Sequence, residues 1–312
     1  MKICALIIAH KNASQLLRLI DALKHPIIDV YVHIDKKWKI TDAEIEQIKS
    51  RNAIIISERI SCFLDEWNLV EASLHLITEA KKKADYHYYA LFSGQDYPIK
   101  PVNSFVEVLS KNYPRPFIDV TPYDKSNWVF YKFCYTPLHQ TILKLTNRVQ
   151  SLVKKRIRGA KKVRNAIDEF VPRRYELYPR LKAHGVSLYG GSAWWILPNV
   201  AINEMLKDMG DNTDVVDLFK KAQTPEETFF QTFLMRTSSA ENVDVNPIEE
   251  RKQNCMTYAN FETPTKKFVG HPHTIVAEDW EWLKLRKEFF ARKFDLNVDE
   301  EIFRIIDEDI KS

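Results

Sequence analysis

The first hundred residues alternate between short apolar runs and longer stretches in which apolar residues recur every three or four positions. "ICALIIA" from Ile3 and "VYVHI" from Val30 have strand length and strand composition, the pattern of strands covered on both faces. "SQLLRLIDAL" from Ser14 has helical spacing, with Ser14 placed to cap its start. Thr41 followed by Glu44 predicts a capping box at the head of a second helix. "AIIIS" from Ala53 predicts a third strand, "WNLVEASLHLITEAKKK" a long amphipathic helix, and "YYALF" from Tyr88 a fourth strand. Strand and helix in regular alternation predict an α/β sheet with helices on both faces.

Beyond Lys111 the pattern loosens. "YPRPFIDVTPYDK" predicts a crossing loop with one strand around Phe117 to Val120, and Leu143 to Phe170 is helical by propensity. That stretch holds the basic run "KKRIRGAKKVR", Lys154 to Arg164, which is either a solvated helix face or a contact for a charged surface. "VSLYGGSAWWILP" predicts a strand, a tight turn and a second strand; Ala201 to Met209 predicts a helix. "PEETFFQTFLMR" predicts another helix with Pro225 in its first turn. Arg292 and Lys293, in "FFARKFD", are placed on a helix, and an acidic amphipathic helix closes the chain. Together these pieces predict one domain over 1–312, with a basic helical elaboration at about 140–182.

Composition narrows the chemistry. With 312 residues, 45% of them hydrophobic, disorder is excluded. Seven glycines in the whole chain, and none just after the first strand, remove a glycine-rich dinucleotide or P-loop site. A net charge of +4 is too slight to mark a nucleic-acid binder. Cys4, Cys62, Cys134 and Cys255 form no CxxC pair, which suits a reducing compartment and offers no structural zinc site. The apolar start is too short to span a membrane, so the expected location is cytoplasmic, peripheral at the inner face of a bacterial membrane if the basic segment binds one. His10, Asp35 and Asp96 each follow a predicted strand, and sheets of this kind bind ligands beyond the carboxyl ends of their strands.

At "YYALFSGQDYPIK" the chain resembles a known family. With "AHKNASQLLRLIDAL", "VYVHIDKK", "GGSAWWIL", "PEETFFQTF" and "FFARKFD", it is similar to the core-2/I-branching glycosyltransferases, which include peptide xylosyltransferases and form glycosyltransferase family 14. The blocks run in family order from His10 to Asp295. The resemblance implies a GT-A-like, Rossmann-related mixed sheet and an inverting transferase that uses a UDP-sugar and needs no divalent metal. N-acetylglucosamine is the first expected donor and xylose the second. A carbohydrate hydroxyl, lipid-linked forms included, is the expected acceptor, in bacterial surface-polysaccharide synthesis. The alternatives are a UDP-xylose-dependent peptide O-xylosyltransferase and a non-catalytic carbohydrate-binding or assembly protein.

Residue by residue, Glu227 matches the family's base, which deprotonates the acceptor hydroxyl; its structural alternative is to stabilise a helix start. Glu226 beside it is an acceptor contact or a helix-start residue. Lys293 matches the lysine associated with the donor phosphates, and Arg292 is a second candidate; both can equally serve surface ion pairs. His273, in "GHPHTI", stands near the place of a further phosphate-binding arginine, which a neutral imidazole cannot replace. His10 and Asp35 are assigned to the nucleotide, Asp96 to the donor sugar, and each alternatively ties neighbouring turns. Trp195 is the expected acceptor platform, ahead of Trp194, while Trp67 is assigned to packing at least as much as to sugar. Asp307 to Asp309 spells Asp-X-Asp but is read as a charged helix face rather than a metal site.

Overall fold

In the computed structural model, which describes residues 1–63, 65–123, 177–222, 224–245, 254–261 and 271–310, the main sheet has five strands. Their spatial order is β3 (Ile54–Ile55), β2 (Ile28–Ile34), β1 (Ile3–Ala9), β4 (Tyr88–Ser93) and β8 (Ile196–Pro198). The first four are mutually parallel, with Ile3 opposite both Ile28 and Tyr88, and β8 runs antiparallel to β4. This is the mixed sheet that the family resemblance implies.

Every residue of β1 is buried because the strand is covered on both sides. Ile3, Ala5, Ile7 and Ala9 pack against α1 (Ala13–Ala22), α2 (Asp42–Lys49) and α4 (Val102–Asn112), through Leu16, Leu19, Ile48, Phe105 and Leu109. Cys4, Leu6 and Ile8 face the other way. They join a core built from α3 (Asn68–Lys81), α5 (Leu177–Ala183), α6 (Asn199–Asp211), α7 (Thr213–Phe219) and α8 (Phe229–Leu234). Alternate side chains of one strand thus anchor two helical layers.

A three-stranded sheet stands at the carboxyl end of the main one. Its order is β5 (Asp96–Pro98), β10 (Phe290–Arg292) and β9 (Thr257–Ala259), with β10 antiparallel to β5 and parallel to β9. It has its own core, in which Tyr97 and Phe294 meet Trp280 of α9 (Trp280–Leu283) and Phe303 of α10 (Glu301–Asp309). A third sheet pairs β6 (Thr121–Pro122) with β7 (Tyr189–Gly190). No helix among the described residues is long and apolar enough to cross a membrane.

Several local expectations change. Asn12, not Ser14, caps α1: its side chain accepts from the Gln15 N–H at 3.1 Å. The third strand shrinks to two residues, and Phe117 and Val120 make only isolated bridges, to Ile196 and Val245. The expected helix from Pro225 is a 3-10 turn, Pro225–Glu227, that breaks at Thr228 before α8 begins. Arg292 ends a strand, where the sequence suggested a helix, because β10 pairs on both sides. The basic segment Lys154 to Arg164, and the expected elaboration up to residue 176, lie outside the described residues. The Thr41–Glu44 capping box forms as expected, with both reciprocal bonds in place.

Candidate active site

The chain reverses at the carboxyl ends of β1, β2 and β4, and the three reversals touch. The Asp35 N–H donates to the Ala9 carbonyl at 2.8 Å, and the Gly94 N–H to the Ile8 carbonyl at 2.9 Å. Gly94 has to be small here, since a Cβ would sit 3.1 Å from the Ala9 methyl. His10 and Lys11 follow β1, and Asp35 to Lys37 follow β2. Lys293 and Asp295 are brought over them from β10, with Gln15 as the fastener. The Gln15 amide is 1% exposed, donates to the Gly94 and Phe294 carbonyls at 3.2 and 3.0 Å, and accepts from the Leu296 N–H at 3.0 Å.

Positive charge accumulates at this junction. Lys293 is half-buried, and its burial, with the charges of Arg292 and Lys11, pulls its pKa below the usual lysine range against the opposing pull of Asp295. His10 is also pulled down, first by partial desolvation of its ring and then by Lys11, Lys293 and Lys37, with Asp35 opposing. Lys11 pairs with Asp295 and Lys37 with Asp35. With Arg292 on Asp96, the four permanent cations Lys11, Lys37, Arg292 and Lys293 stand among three carboxylates, and Lys293 makes no ion pair of its own among the described residues. Groups of one sign crowded at strand ends in this way create a local positive potential suited to an anion.

Asp35 and Asp96 are fully employed within the fold. Asp35 is 2% exposed, and its oxygens accept from the Lys37 N–H at 2.7 Å and the Cys62 N–H at 3.2 Å. Asp96 has no exposed surface; it accepts from the Ser93 N–H at 2.8 Å and from Arg292 Nε at 3.1 Å. Burial raises its pKa to about 6, with Arg292 as the main restraint. The contact to the donor sugar expected of Asp96 gives way to a role in fixing Arg292, whose guanidinium carbon also lies 4.3 Å from the centre of the Trp194 ring.

Glu227 stands on the 3-10 turn, half-buried. Its carbonyl accepts from the Gly191 N–H at 2.8 Å, and its own N–H donates to Thr224 at 3.1 Å. Glu226 points the other way into the protein: 5% exposed, it accepts from the Asp65 N–H at 3.3 Å. Such a buried carboxyl cannot serve as the expected acceptor contact. The Trp195 ring is 1% exposed and packs on Phe230 at 4.7 Å, so it is core and not an acceptor platform. Trp67 packs edge-on against Phe229 at 5.0 Å, in line with its packing role.

The sequence model of the Core-2/I-Branching enzyme family matches residues 5–284. The chain belongs to that family. Similar curated proteins include a xylosyltransferase of Ciona intestinalis, 22% identical over 98% of this chain and 34% of the relative. Xylosyltransferase 1 of Rattus norvegicus is 21% identical over 98% of the chain and 35% of its own length. The chain thus spans about a third of the length of the curated relatives it matches. Among solved structures, 4-diphosphocytidyl-2C-methyl-D-erythritol synthase from Anaerococcus prevotii overlaps 75% of the chain and 96% of its own, at 12% identity and a TM-score of 0.31.

In this Core-2/I-Branching family member, His10 lies within electrostatic reach of Asp35 and Lys293, and Lys293 within reach of Arg292; His273 is tied to the Arg292–Lys293 strand end through the backbone. The His273 N–H donates to the Asn260 carbonyl at 2.7 Å, the Asn260 N–H to Arg292 at 2.8 Å, and the Ile275 N–H to Lys293 at 2.9 Å. Lys11, Lys37 and Gln15 were missed; the first two adjoin His10 and Asp35, which was the available signal. Trp194, ranked below its neighbour, is the tryptophan that meets the site. The carboxylates of the Asp-X-Asp string are hydrogen-bonded within the fold: Asp307 accepts from Arg18 at 3.1 Å and from Tyr97 at 2.6 Å, and Asp309 from Trp280 Nε1 at 3.1 Å. Among the described residues no three His, Cys, Asp or Glu side chains gather as a metal site.

Proposed function

We propose that the chain transfers a sugar from a UDP-sugar to an acceptor hydroxyl by one displacement that inverts the anomeric carbon. Glu227 takes the hydroxyl proton as the oxygen attacks. Arg292 and Lys293, backed by Lys11, stabilise the charge growing on the departing diphosphate, and this fixed charge lets the reaction run without a divalent metal. The observation that carries the reading is the cation crowd at the carboxyl ends of β1 and β2, where His10 and Lys293 are held below their ordinary pKa values. A bound diphosphate relieves that repulsion.

Xylose moves ahead of N-acetylglucosamine as the donor to try, reversing the order expected from the sequence. Support comes from curated relatives named xylosyltransferases that run along 98% of the chain. A peptide hydroxyl is accordingly the first acceptor to test, and a carbohydrate hydroxyl the second.

The test incubates the purified chain and its Glu227→Gln variant with UDP-xylose or UDP-N-acetylglucosamine and peptide or glycan acceptors, under a chelator, with products identified by mass. The expected result is a sugar adduct on the acceptor with UDP released. Glu227→Gln should lose about a hundredfold or more in turnover while still binding UDP. Full turnover in that variant would remove Glu227 as base. A wild-type chain that binds UDP but yields no adduct with any pair would favour a binding role.

A further inference from the structure

Trp194 and Arg292 come from distant parts of the chain and meet as a cation over a ring, 4.3 Å from guanidinium carbon to ring centre. Such a contact is worth most where water is excluded, and Trp194 is 7% exposed. The opposite constraint on Arg292 comes from Asp96, which accepts from its Nε at 3.1 Å and sits directly across from it in the strand register. Asp96 cannot swing away, because its second oxygen holds the Ser93 N–H at 2.8 Å. The Nε bond and the ring contact together restrict how the guanidinium can turn. Its two terminal nitrogens make no hydrogen bond among the described residues, and that pair is the fork with which arginine grips a phosphate.

The segment bearing Trp194 also supports Glu227. Gly191 donates to the Glu227 carbonyl at 2.8 Å. A Cβ at Gly191 would lie 1.9 Å from the Asp119 carbonyl oxygen, so the segment lies flush against that residue. On its other side Gln231 Nε2 of α8 donates to the Ser192 carbonyl at 2.7 Å, and the Trp194 N–H donates to Ser192 Oγ at 3.3 Å. Residues 191–194 are thus clamped between Asp119 and α8.

We propose that Trp194 is a positioning residue for sugar transfer: its ring holds Arg292 with the terminal nitrogens facing the donor diphosphate, and the 191–194 segment keeps that cation in one frame with the base Glu227. The proposal rests on the reading of Arg292 as a diphosphate contact.

A double-mutant cycle on the full chain tests it, with UDP affinity measured by titration calorimetry for wild type, Trp194→Leu, Arg292→Met and the double variant. Each single variant should bind UDP about five- to tenfold more weakly, and Trp194→Leu should cost nothing further once Arg292 is gone. Trp194→Phe, which keeps an aromatic face, should recover most of the loss. In turnover assays the donor KM should rise while the acceptor KM stays put. Trp194→Met replaces the leucine variant if that one does not fold. Additive losses, or wild-type UDP affinity in Trp194→Leu beside a weakened Arg292→Met, would overturn the positioning role alone. Unchanged UDP affinity in Arg292→Met would overturn it by removing the diphosphate contact on which it rests.

Discussion

The two glutamates of the Pro225–Glu227 turn are adjacent in sequence and differ in burial. Glu226 Oε1 accepts from Asp65, and Oε2 has no hydrogen-bond partner among the described residues. Burial therefore raises its pKa to about 8, and the charges of Glu227 and Asp65 push the same way. Because the native state holds this proton while the unfolded chain releases it near the usual 4.5, stability is full below pH 4.5 and declines as pH rises toward 8. Glu226→Gln, which keeps the acceptor oxygen and has no charge to acquire, should match wild type near pH 4.5 and melt at a higher temperature at pH 8. Equal melting curves at pH 8 would show that Glu226 is ionised without penalty. The "PEE" string alone cannot separate the two residues. Which one faces inward depends on a loop more than 150 positions away, through the Asp65 contact.

At the scale of elements, the end of β2 is held by the loop that follows β3. His33 is fully buried on β2, and its Nε2 accepts from the Ile60 N–H at 2.9 Å, while Asp35 takes the Cys62 N–H two residues on. Arg59 Nη2 donates to the Asp35 carbonyl at 2.8 Å and completes the tie. Burial lowers the His33 pKa from 6.5 to about 4, with Asp35 opposing. The neutral ring thus stabilises the fold above pH 6.5, and that stability, up to about 3 kcal/mol, drains away as pH falls toward 4. His33→Gln should flatten the dependence of melting temperature on pH between 6.5 and 4.5; an unchanged slope would assign it to other groups. Local signals serve unevenly at this scale. The Thr41 box was legible because it is closed within four residues. The Arg292 strand was not, because "FFARKF" suits either period and only its two pairing partners decide. Trp194 and Trp195 escape strand alternation because they precede β8, and both rings turn inward from irregular chain.

For the molecule as a whole, Gln15 is the side chain that joins the two sheets at the site, bonding both the turn after β4 and the chain after β10. Gln15→Leu roughly keeps the volume and takes the side-chain partner from the Gly94 carbonyl and the Leu296 N–H, while the Phe294 carbonyl keeps Gln95 Nε2; this should cost about 2–4 kcal/mol in chemical denaturation and raise the donor KM. Wild-type stability in that variant would show that the packing of Phe290 on Phe92 and Phe105 is enough to hold the sheets together. Periodicity along the chain was enough for the alternation of strand and helix, the helices on both faces of the sheet and the placing of His10 and Asp35 after their strands. Those features follow from periodicity and chain reversal within a few residues. Only the tertiary structure decided that Lys11 and Lys37 join Lys293, that Asp96 serves Arg292, and that Trp194 rather than Trp195 faces the cation. Each of these depends on side-chain direction and on contacts between residues about a hundred or more positions apart, which no local pattern encodes.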